Sequence, residues 1–198
     1  NSSTTFSGTL GGTGPFEKVG SGTLTLSGAS TNTGTKTVVG GSLLLNGSIP
    51  GIVFVNAGAT LGGTGTVNGP VTINAGGTLA PGLSPGIINT GDLSLAGAFV
   101  VEIEGTTVGT QYDQTNVTGT VTIAGGTLTL AGAYVPVAGN VFTIIANDGA
   151  DAVIGTFAGL AEGATITLNG VTLVISYVGG TGNDVVLTAQ AAAVAAPI

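Results

Sequence analysis

An all-β fold, in particular a right-handed parallel β-helix (a solenoid) with a C-terminal antiparallel β closing unit, is the class that this sequence predicts. Three observations carry the expectation. Short apolar–polar–apolar runs bounded by glycine recur along the chain, they are spaced as single coils would be, and the pattern changes near residue 133. A strand of about five residues cannot bury its apolar face alone, whereas stacked copies can.

The elements follow in order. Residues 1–16 carry no charge and read as an N-terminal arm, with Phe6 and Leu10 as its large apolar residues. Residues 17–132 hold the repeats: "GTLTLSG" (22–28), "GSLLLNG" (41–47), "GATLGG" (58–63), "GGTLAPG" (76–82), "GDLSLAG" (91–97), "GTVTIAG" (119–125) and "GTLTLAG" (126–132). Within each, alternation of period two puts pairs such as Leu24 and Leu26, or Val121 and Ile123, on one side. The early copies step by 17 to 19 residues, from 22 to 41, 58 and 76, which suits one coil with Gly-rich corners. An antiparallel sandwich also uses short strands and frequent turns, and it stands as the rival architecture.

From residue 133 to 188 the strands lengthen: "NVFTIIAN" (140–147), "AVIGTFAG" (152–159), "ATITLNGVTLVISYVG" (164–179) and "DVVLTA" (184–189). Asn169-Gly170 between "TITL" and "VTLVISY" predicts a type I′ hairpin, because both central residues of that turn need positive φ. This unit is expected to cap the last coil, whose backbone would otherwise be left unpaired. Residues 189–198, "AQAAAVAAPI", form an apolar tail with no place in the repeat.

Composition narrows the function classes. Only 6% of the 198 residues are charged, against about 25% in ordinary soluble domains, yet 42% are hydrophobic and 38 are glycine. Disordered chains are charged and poorly hydrophobic, so disorder is excluded. The formal net charge is −7 with two lysines and no Arg, which leaves nothing to neutralise phosphates or to bind an anionic membrane surface. No apolar run reaches the length of a spanning helix. The opening "NSSTTFSG" reads as a mature end rather than a leader.

Residues 19–48, "VGSGTLTLSGASTNTGTKTVVGGSLLLNGS", resemble the autotransporter-associated β-strand repeat of bacterial secreted proteins: a Gly-rich turn, an L-x-L strand, a polar bend, a T-x-V strand, then G-G-x-L. The residues that carry the likeness are Gly22, Leu24, Leu26, Gly28, Ser30, Thr33, Gly34, Thr37, Val39, Gly40, Gly41 and Leu43. "LGGTGTVNGPVTINAGGTLAPGLSPG" (61–86) and residues 142–189 are similar to the segments that follow and end such regions. The resemblance implies a parallel β-helix on a bacterial cell surface. Autotransporters continue into a membrane barrel, and none follows here before Ile198.

Four groups of residues have chemistry to weigh. Gly179–Leu187 fits G-G-x-G-x-D-x-U-x, a calcium-binding nonapeptide, with Asp184 as ligand; read plainly, Asp184 holds turn amides at the entry to the last strand. Glu102 and Glu104 share one strand face and could form the acid–base pair of a polysaccharide-cleaving β-helix, though no Arg or His accompanies them. Asp148 and Asp151 form a second pair, and Glu17, Lys18 and Lys36 could, with an Asn, build an isopeptide crosslink. Without His or Cys, nucleophilic triads and zinc sites are excluded.

The leading expectation is therefore a non-enzymatic structural subunit, extracellular or on the cell surface, that assembles with copies of itself. Its uncharged termini and end rungs would make the contact, with Phe6, Leu10, Leu187, Val194, Pro197 and Ile198 as interface candidates. A monomeric adhesin or stalk is the alternative, and a glycan-cleaving enzyme the second one. No cofactor is expected, calcium being the one ion the sequence suggests.

Overall fold

A computed structural model describes residues 2–149 and 151–191. All regular structure among them is β, arranged in three sheets. The first sheet contains Thr4–Phe6, Thr23–Leu26, Gly41–Leu45, Ala59–Gly63, Thr78–Pro81, Ala98–Glu102 and Thr127–Ala131, all parallel and in that spatial order. The second runs from Phe16–Lys18 through Lys36–Val38, Val53–Val55, Val71–Ile73, Leu93–Leu95 and Val121–Ala124 to Ile154–Thr156, again all parallel. The third is mixed. Ser48–Ile49, Thr66–Val67, Ile87–Thr90, Gln114–Val117 and Val141–Asn147 are parallel; Asp184–Ala189, Val171–Gly179 and Thr165–Leu168 add on antiparallel.

From Gly41 to Thr156 the chain visits the first, third and second sheets in rotation. Register explains why. Leu24, Leu43, Leu61, Leu79, Phe99 and Leu128 are successive partners, stepping 18 to 20 residues up to Phe99 and 29 beyond it, where the 103–113 loop intervenes. In the second sheet Val53, Val71, Leu93 and Val121 form one inward column, and Val38, Val55, Ile73, Leu95 and Ile123 form another. These side chains are almost wholly buried, each worth about 1.5–3 kcal/mol relative to exposure. Outward positions hold Thr23, Ser42, Thr60, Thr78 and Thr127, so hydroxyls rather than charges face water.

Glycine sits where successive corners stack. A Cβ on Gly47 would lie 2.1 Å from the carbonyl oxygen of Gly28, and one on Gly28 would lie 2.2 Å from that of Gly8. Only glycine lets the corners approach this closely. The 169–170 hairpin forms as expected: Asn169 and Gly170 have φ of 47° and 83°, and Leu168 pairs with Val171.

Two expectations about boundaries need correction. Residues 1–16 are not a free arm, because Thr4–Phe6 joins the first sheet and Phe16 opens the edge strand of the second. Nor does the parallel arrangement end at residue 132. Val141–Asn147 is parallel to Gln114–Val117 on one side and antiparallel to Asp184–Ala189 on the other, and Ile154–Thr156 extends the second sheet. The antiparallel addition is narrower than 133–188: it comprises the three last strands, 165–189.

Candidate functional site

Among the described residues no sheet closes on itself, and each ends on strands with a ladder partner on one side. The edges at the N-terminal end are Thr4–Phe6 and Phe16–Lys18, while the end strand of the third sheet, Ser48–Ile49, is bridged at Ser48 to Ala29. All three residues of Thr4–Phe6 are exposed, and among the described residues the strand pairs with Thr23–Leu26, with Phe6 O also accepting from Ser27 N at 3.1 Å. Phe6 is 39% exposed, while Leu10 is half-buried against the core. A cleft of about 280 Å³ opens beside this rung between Thr4, Phe16, Lys18, Val19, Thr23 and Leu24. The floor is partly apolar, and only Glu17 brings a negative charge to it.

Both lysines lie in these first rungs and both point inward. Lys18 Nζ donates to the carbonyls of Val19, Gly20 and Gly40 at 3.0, 2.9 and 2.8 Å. Lys36 Nζ donates to Asn32 O, to Gly34 O at 2.7 Å and to Pro50 O at 2.6 Å. Three carbonyls match the three donors of an ammonium group, so each cation is fully satisfied away from water. Burial pushes the Lys36 amine below its usual range. The contacts of both amines are with backbone oxygens, and Asn32 turns its own amide to Gly11 O and Gly14 O. Sequence reasoning missed this arrangement, although Lys18 alternates with Phe16 and so shares its inward face.

The other end is covered in part, with Ile154–Thr156 left as an edge strand exposed at every residue. Phe157 stacks on Phe99 with centroids 6.1 Å apart, and Tyr177 lies 6.3 Å from Phe157. The Tyr177 hydroxyl donates to Leu160 O at 2.6 Å and accepts from Phe157 N at 3.0 Å. Asn169 Nδ2 reaches back to Gly132 O and Tyr134 O at 3.0 and 2.7 Å, which latches the hairpin onto the loop after the last strand of the first sheet. Leu187 is wholly buried in a strand flanked on both sides, so it belongs to the core and not to an interface. Val194, Pro197 and Ile198 lie outside the described residues.

Asp184 does hold turn amides. Its Oδ1 accepts from Asn147 N at 2.8 Å, and its Oδ2 from Thr181 N at 3.0 Å and the Thr181 hydroxyl at 3.3 Å. Among the described residues no three His, Cys, Asp or Glu side chains group so as to hold a metal ion.

Glu102 and Glu104 serve different loops. Glu102 accepts from Ser84 Oγ at 2.7 and 2.9 Å, and Glu104 accepts from Ala133 N at 3.1 Å. Beneath Glu102 is a carboxylate that sequence reasoning passed over. Asp113 is 3% exposed and accepts from Gly86 N at 2.7 Å and Glu102 N at 2.9 Å. Burial pushes its pKa up to about 6, helped by the neighbouring Glu102 charge and opposed by the two amide bonds. Ser84, whose hydroxyl meets Glu102, has φ of 106°, a strained value for a non-glycine residue. No protein-family model matches the chain, and no curated protein matches it at a significant level.

Proposed function

We propose that the chain is a structural subunit of an extracellular or cell-surface assembly: a right-handed parallel β-helix that associates end to end with copies of itself. The observation that carries this reading is the Thr4–Phe6 strand, exposed at every residue, uncharged and, among the described residues, unpaired along one edge. Such an edge is a template for strand addition, and native proteins normally blunt one with charge or proline. Rotation of the strands among three sheets at steps near 18 residues supports the solenoid, and the resemblance of residues 19–48 to autotransporter repeats supports the location.

Sedimentation and electron microscopy of the purified protein test the proposal. Oligomers or filaments should form at high concentration, and Thr5→Lys on the exposed edge should return them to monomers without changing the β-type circular dichroism. Uniform wild-type monomers would sink it. Covering of the C-terminal end by Phe157, Tyr177 and the hairpin favours a second reading, a stalk or adhesin segment whose open rung meets other coils of a longer chain. That reading leaves the purified protein monomeric.

A further inference from the structure

The corner where the loop after Val141–Asn147 meets the turn before Asp184–Ala189 gathers oxygen atoms around a nitrogen. Asn183 Nδ2 lies 3.4, 3.2 and 3.1 Å from the carbonyl oxygens of Asp148, Gly149 and Asp151. Asn147 Nδ2 donates to the same Asp151 oxygen at 2.8 Å, so both side-chain amides converge on this cluster. Asn147 is 5% exposed, and its Oδ1 is buried with no hydrogen-bond partner among the described residues. A buried acceptor without a donor at a ring of carbonyls calls for a positive group.

The surrounding charge calls for one too. Asp148 and Asp151 are exposed on this loop, and Asp184 is buried beneath it. Both lysines of the chain are bonded to carbonyls between residues 19 and 50, and there is no Arg or His. We propose that this corner binds a calcium ion, held by the carbonyls that now face the Asn183 amide nitrogen. Calcium takes six to eight oxygens at about 2.3–2.6 Å. The three carbonyls, Asn147 Oδ1 and Asn183 Oδ1 supply five, and the Asp148 and Asp151 carboxylates complete the set.

Turning the Asn183 amide over is compatible with its other bond. Thr181 Oγ1 now donates to Asn183 Oδ1 at 2.8 Å. After the turn it accepts from Nδ2 instead and keeps its hydrogen for Asp184 Oδ2, since a hydroxyl can do both. Asp184 is thus a positioning residue, its oxygens committed to Asn147 N and Thr181 N. The ligands are the carbonyls and side chains of residues 147–149, 151 and 183.

Calorimetric titration of chelator-treated full-length protein with CaCl2, alongside thermal melts, tests the site. One saturable site and a calcium-dependent rise in Tm are expected. Asp148→Asn/Asp151→Asn should weaken calcium at least tenfold while leaving the metal-free Tm unchanged, because both side chains are exposed. Asn183→Asp, which adds a carboxylate at the centre, should tighten it. No saturable binding up to about 10 mM, beyond the range of weak extracellular calcium modules, would overturn the proposal. So would equal affinity in the double variant.

Discussion

Asp113 is where a single residue makes the fold sensitive to pH. Its pKa of about 6 is above the ordinary 3.8, so the folded chain holds a proton at pH values where the unfolded chain has released it. Stability from this group is therefore complete below about pH 4 and is lost as pH rises through about 6. Asp113→Asn removes the titration. The Tm of the wild type relative to the variant should fall by about 3–6 °C between pH 4 and pH 7, read from melts in matched buffers. A constant difference would show that burial does not perturb this carboxylate. The signal for Asp113 in the sequence was faint: one acid in "TQYDQTNV", where no alternation marks the inward side. Lys36 was more legible, since it precedes Thr37 and Val38 on an alternating strand, but a charged side chain argues against an inward reading until its three carbonyls are seen.

At the scale of elements, stacking of corners sets the tolerance to change. Gly47 lies between the corners that contain Gly28 and Gly65, and a Cβ on either Gly47 or Gly65 would meet the carbonyl oxygen of the corner before it. Gly47→Ala should cost about 2–4 kcal/mol in urea unfolding, well above the roughly 1 kcal/mol of an ordinary substitution, because a backbone atom and not a side chain must move. A cost near zero would mean that the corners can separate freely. The repeats from Gly22 to Gly132 were readable because each glycine pair brackets an alternating strand, and Asn169-Gly170 because its turn chemistry is specific. Thr4–Phe6 was not. Three residues are too few for a period to register, and that strand owes its structure to its pairing with Thr23–Leu26. Val141–Asn147 misled for a different reason: a long apolar strand looks the same whether its neighbours run parallel or antiparallel, and here it has one of each.

Across the whole molecule the two ends differ in kind. Aromatic rings and a latched hairpin cover part of the C-terminal end, where Ile154–Thr156 stays an exposed edge, and the other end has no such cover among the described residues. The charges are partitioned as well: Glu17, Asp92, Glu102, Glu104, Asp148, Asp151 and Glu162 reach the surface, while Lys18 and Lys36 are 7% and 1% exposed. A consequence concerns digestion. Enzymes that cut after basic residues find only two target bonds in this chain, both in strands of the second sheet and both with the recognised side chain turned inside. The native protein should outlast trypsin for as long as it stays folded, as gel analysis of a timed digest would reveal. Even an unfolded chain would surrender only its first 36 residues, leaving 37–198 as one piece.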